Sequence, residues 1–141
     1  MSKNIEHQVP RATAVVGLAA IALIHVLELQ DKLKETPYLG VGYILLVGAC
    51  VIAGALLMHS NDRRGWILGG GAAWATFLGY SVTRTVGLPQ SMGDIGNWLE
   101  PMGLASIFLE AIVTAVAVYA LTTMRLVAPA RSDEQRHLSA A

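Results

Sequence analysis

The chain has 141 residues, 54% of them apolar and 14% charged, and its ten bases are balanced by ten acids. That is too apolar for an ordinary soluble domain of this length, and with no net positive charge and no basic face, nucleic acid is excluded as a partner. The charges cluster between four apolar stretches, each close to the ~20 residues that cross ~30 Å of hydrocarbon as a helix.

Residues 1–11 are polar, carry Lys3, Pro10 and Arg11, and read as a short disordered N-terminal tail. The first span is predicted at about 12–30. Its apolar core ends in Ile24-His25-Val26-Leu27-Glu28 with no small-x-small cleavage pattern, so it is read as a retained helix rather than a secretory signal. Residues 31–37 form a charged turn. Pro37-Tyr38 opens a second span at about 38–58, with proline and tyrosine where a helix start and a membrane interface would want them.

The second span holds the single cysteine, Cys50, read as a packing residue. Residues 59–64 are a tight polar turn, and a third span runs over about 65–88 until Pro89 stops it. A longer loop follows, and the fourth span is predicted at about 103–124, leaving 125–141 as a polar, mobile C-terminal tail. The four spans and their connectors consume the chain. The fold class is therefore all-α: an integral membrane four-helix bundle in one domain, 12–124, with the lipid bilayer as its main partner.

Orientation follows from the bases near the span ends, because cytoplasmic segments retain Lys and Arg. Lys3, Arg11, Arg63, Arg64, Arg125, Arg131 and Arg136 lie on one side, and only Lys32 and Lys34 on the other. Both termini are thus expected in the cytoplasm of a multi-pass cell-membrane protein. Lipid gives helices no hydrophobic reason to associate, so small residues that admit close approach are expected at the contacts. The candidates are Gly71, Ala75 and Gly79 with Gly69 and Gly70 beside them, then Gly42, Gly48, Ala49, Ala53 and Gly54, and finally Ala111 and Ala115. Such stripes serve packing within the chain or a homo-oligomer interface. Tyr38, Tyr43 and Trp66 read as interface anchors.

Ionisable groups inside a span cost about 2.5–3.5 kcal/mol each on insertion scales and normally face the bundle interior with partners. The spans contain four: His25, Glu28, Arg84 and Glu110. His25 and Glu28 share a face at a spacing of three. Phe77, Tyr80 and Arg84 form one stripe, and Gly103, Ser106, Glu110, Thr114 and Ala117 another, with Glu110 at its centre. At ~1.5 Å per residue all four fall in the outer half of the bilayer, which predicts that they are neighbours.

Two carboxylates then face one permanent cation. One glutamate can pair with Arg84, and the other calls for a proton, a protonated His25, a metal ion or a ligand cation. The competing readings are a buried ion-pair network that only fixes helix packing, with His25 as its hydrogen-bond partner, and an oligomeric small transporter. An enzyme is disfavoured, since no serine or cysteine stands beside a base. If a metal binds, His25, Glu28 and Glu110 are its candidate ligands, although no Glu-x-x-His pair or His-Glu-x-x-His motif is present. Haem is not expected, because His7, His59 and His137 lie outside the spans and leave His25 alone at membrane depth.

The loop from Pro89 to Pro101 carries Asp94, Trp98 and Glu100 and no base. It reads as an interfacial connector anchored by Trp98 or as a lid over the charged cluster. The string Ser81-Val82-Thr83-Arg84-Thr85-Val86-Gly87-Leu88-Pro89, followed by Trp98-Leu99-Glu100-Pro101-Met102-Gly103-Leu104 and Leu109-Glu110, resembles a group of small four-span membrane proteins of actinobacterial type. That group also has a His and a Glu late in its first span, which His25 and Glu28 match, while Val82-Thr83 departs from its shorter Ser-Arg-Thr form. The resemblance implies the four-span architecture and the polar cluster, and it carries no activity with it. The sequence therefore predicts a non-enzymatic accessory or binding protein, alone or within a larger membrane complex, with an outer-leaflet site for a proton, metal ion or small ligand.

Overall fold

The structure, a computed structural model, describes the backbone of residues 2–139 and the side chains of 8–124. The chain is all-helical: α1 (Ser2–Glu35), α2 (Pro37–Ser60), α3 (Arg63–Thr85) and α4 (Pro101–Ser139), with one 3-10 turn at Met92–Asp94. No strand occurs among the described residues. Three of the helices, over Gln8–Glu35, Pro37–Ser60 and Pro101–Met124, are long and apolar enough to cross a bilayer, and the chain is a helical membrane protein on that ground. The exception is α3, whose five glycines and polar Thr76, Ser81, Thr83 and Arg84 dilute its hydropathy.

Each break between helices has a local cause. The predicted turn at 31–37 shrinks to one residue, Thr36. Residues 31–35 stay helical, with a Lys32–Glu35 ion pair at 3.6 Å, until Pro37 at the start of α2 forces Thr36 out of helical backbone (φ −145°, ψ 76°). Asn61 ends α2 in the left-handed region (φ 48°), and the Asp62 carboxylate caps α3 by accepting the Arg64 N–H at 2.8 Å. Gly87 ends α3 at φ +81°, where a Cβ would strike Met92 and Ile95. Both outer helices run past the predicted spans, α1 from Ser2 and α4 to Ser139, because a helix need not stop where hydrocarbon stops. Of the two predicted tails, Met1, Ala140 and Ala141 lie outside the described residues, as do the side chains of Lys3, His7, Arg125, Arg131, Arg136 and His137.

The helices form an up-down ring in which α1 touches α2 and α4, and α3 touches α2 and α4. Buried positions alternate by three and four: Ala14, Leu18, Ile21 and His25 on α1; Leu46, Cys50, Ala53 and Leu57 on α2; Ser106, Glu110, Val113, Ala117 and Ala120 on α4. This is the seam of nearly parallel helices packed knobs into holes. Cys50 is free and buried within that seam.

Close approach occurs at Gly17 against Val113, at Gly69 against Leu18 and Ala53, and at Gly70 against Ala117. The expected stripe of Gly71, Ala75 and Gly79 is not a helix contact. A Cβ on Gly71, Gly79, Gly42, Gly48 or Gly54 would meet nothing within 4 Å, and Ala111 and Ala115 are exposed. Four-residue spacing marks a face of a helix, but the large partners Leu18 and Val113 decide which face is turned inward. Trp66 is likewise no interface anchor: it is 2% exposed, with its indole N–H donated to Asn61 Oδ1 at 2.9 Å. Leu18 and Leu57 are fully buried at one end of the bundle, and the other end opens into a polar cavity.

Candidate functional site

The cavity has a volume of about 690 Å³ and takes walls from all four helices and the 86–100 loop. His25 and Glu28 from α1, Tyr80 and Arg84 from α3, and Glu110 from α4 all line it, together with Asp94 and Glu100 from the loop. The residues singled out from the sequence at membrane depth thus meet around one space. Trp98 does not line it. Its ring packs edge-on against Tyr80 with centroids 6.1 Å apart, and its carbonyl accepts the Tyr80 hydroxyl at 3.4 Å.

Glu110 is wholly buried. Its Oε1 accepts the Ser106 hydroxyl at 2.6 Å, one helical turn away, and its Oε2 has no hydrogen-bond partner. His25, 3% exposed, donates Nδ1–H to the Ile21 carbonyl at 2.9 Å, which leaves Nε2 as its other polar atom. The ring of Tyr43 stands edge-on to His25 with centroids 4.5 Å apart, and its hydroxyl neighbours Glu28. Tyr43 is accordingly part of the cavity wall and not the interface anchor expected from its position near the start of α2.

Arg84 does not pair with either intramembrane glutamate. Its Nη1 lies 3.1 Å from Asp94 Oδ1, its guanidinium sits 4.6 Å from the centroid of the Tyr80 ring, and its Nε is unpartnered. Asp94 also accepts the Ser91 hydroxyl. Partial burial by itself would push the Asp94 carboxyl up, but Ser91, Lys32 and Arg84 together hold it below the ordinary aspartate range. The loop is fastened at further points, by Gly96 N–H to the Arg84 carbonyl at 2.9 Å and by the Tyr38 hydroxyl to the Pro89 carbonyl at 2.6 Å. Glu100 caps α4, its carboxylate accepting the N–H groups of Met102, at 2.9 Å, and Gly103.

The charge balance follows. The lining carboxyls are Glu28, Asp31, Glu35, Asp94, Glu100 and Glu110, against the permanent cations Lys32 and Arg84. Both cations are engaged, Lys32 with Glu35 and Arg84 with Asp94. Glu28 and Glu110 are left in an acid-rich cavity with no ion-pair partner. His25, Glu28 and Glu110 do not converge as metal ligands: among the described residues no three His, Cys, Asp or Glu side chains form a metal-holding group.

The sequence leaves the loop that carries Asp94 either a connector or a lid and does not reveal the pair with Arg84, because a loop's path is not encoded in residue spacing. Ser106 stands four residues before Glu110 on one helix face, and that spacing is the signal in the sequence for their hydrogen bond. These features define a helical membrane protein with a polar cavity between its helices. The chain matches no protein-family model, no curated protein and no solved structure.

Proposed function

We propose that this is a four-span cell-membrane protein with cytoplasmic termini that binds a small organic cation in the outer half of the bilayer, without carrying out chemistry on it. The observation that carries the reading is Glu110: a fully buried carboxyl whose free Oε2 has no partner and which lines a cavity rich in acids. A buried carboxyl requires a proton or a cation to complement it, and Arg84 is already committed to Asp94. A purely structural ion-pair network would use Glu28 and Glu110. The ion pairs present use neither.

The orientation rests on the basic residues Arg11, Arg63 and Arg64 at the closed end, against Lys32 and Lys34 at the cavity end. For α3 as the fourth span, support comes from its length of 23 residues, ~34 Å, and from the outward exposure of Ile67, Trp74, Leu78 and Val82. An organic cation suits the site better than a metal ion, since aromatic rings border it and no ligand trio is assembled.

The test is titration of the protein in lipid nanodiscs with n-butylammonium, followed by calorimetry. Saturable binding by the wild type, weakened at least tenfold in Glu110→Gln with the melting temperature retained, is the expected result. Equal binding by the two proteins, or none by the wild type, counts against the reading.

A further inference from the structure

Four cavity-lining residues, Gly42 and Leu45 of α2 and Ala75 and Gly79 of α3, are also exposed. A Cβ built on Gly42 or Gly79 would meet nothing within 4 Å, so these glycines do not bring the two helices together. A residue that both lines the cavity and is exposed stands at an opening of it, and these four stand on two neighbouring helices. The neighbouring exposed surface is apolar: Val41, Ile44 and Leu45 on α2, Leu78 and Val82 on α3. In a bilayer this opening faces acyl chains. The cavity's other margin, at Asp31, Glu35 and Asn97, is exposed and polar, beside the fastened 86–100 loop.

A space with a carboxyl-lined interior, a polar rim and a lateral mouth into hydrocarbon fits a molecule with two parts. We infer that the ligand is an amphiphilic amine, its ammonium group held at the Glu110 carboxyl and its alkyl chain leaving sideways through a gap between Gly42 and Gly79. This rests on the cation-binding reading above and adds the ligand's class and its route. Charge complementarity selects the head, because Glu110 Oε2 is wholly buried and unpartnered while the two lining cations are already paired. The lateral mouth selects the tail. A volume of about 690 Å³ lies within the ~300–1,000 Å³ of sites for drug-sized molecules and exceeds the needs of a bare ammonium group.

The experiment compares n-butylammonium with n-decylammonium on the protein in nanodiscs, with partition into empty nanodiscs subtracted. The wild type is expected to bind the decyl amine at least tenfold more tightly than the butyl amine. Gly79→Leu, which fills the gap from α3, should bring the ratio of decylammonium to butylammonium affinity to within about twofold. Gly42→Leu fills it from α2 and should give the same result, so that if one variant packs poorly, as judged by its melting temperature, the other carries the test. Equal affinity of the wild type for both amines, or undiminished decylammonium binding in both folded leucine variants, overturns lateral entry alone. Failure of the wild type to bind either amine overturns the cation-binding reading and this inference with it.

Discussion

Asp94 Oδ1 lies 3.1 Å from Nη1 of Arg84, an ion pair that joins the end of α3 to the loop above the cavity. Arg84 is 8% exposed and cannot shed its charge, so its cost at that depth is set by this one carboxylate. Asp94→Asn is expected to destabilise the protein by about 1–3 kcal/mol, the range for leaving a buried polar or charged group short of its partner. Thermal unfolding in detergent measures this, and an unchanged melting temperature would refute the assignment.

The same pair sets an acid limit. Because the folded Asp94 carboxyl lies below its ordinary value, its contribution is fully present above the unfolded value of about 3.9 and is lost as the pH falls through the lower folded one. Stability of the wild type should fall more steeply than that of Asp94→Asn below about pH 4. Parallel acid profiles for the two proteins would contradict this.

Among the described residues, Ser106 is the only hydrogen-bond donor to the Glu110 carboxyl. Ser106→Ala leaves both oxygens unpartnered in a wholly buried group, at an expected cost of about 1–3 kcal/mol. Glu110→Gln keeps an acceptor for the hydroxyl and removes the acid, so it should cost less than Ser106→Ala. Denaturant titration of the two variants side by side distinguishes them, and the reverse order would be evidence against the bond.

Glycines divide into those that touch another helix and those that do not. A Cβ at Gly17 would come within 2.5 Å of Val113 Cγ2, and one at Gly70 within 2.5 Å of the Ala117 Cβ. Gly17→Ala and Gly70→Ala should each destabilise by about 1–3 kcal/mol through overpacking. Gly48→Ala meets open space and should be neutral or stabilising by up to ~1 kcal/mol, the helix-propensity difference. Melting temperatures of the three variants settle the order.

Tyr38 donates to the Pro89 carbonyl at 2.6 Å and ties the start of α2 to the loop. Tyr38→Phe should speed hydrogen exchange over residues 86–97, including the Gly96 amide bonded to the Arg84 carbonyl, while the buried stretch of α4 from Glu110 to Ala117 stays protected. Unchanged exchange in the loop would mean that the Arg84–Asp94 pair holds it alone.

Composition and periodicity determined the helical class and the approximate positions of all four helices, because hydropathy and rise per residue are properties of the chain itself. Tertiary structure decided what their side chains face. Arg84 pairs with Asp94 because the chain after Gly87 turns back over the end of α3, a path that helical spacing cannot encode. Gly71 and Gly79 stand open while Gly17 and Gly70 are in contact, because the inward face of a helix is fixed by the side chains of its neighbours. The cavity is the space that this arrangement leaves unfilled.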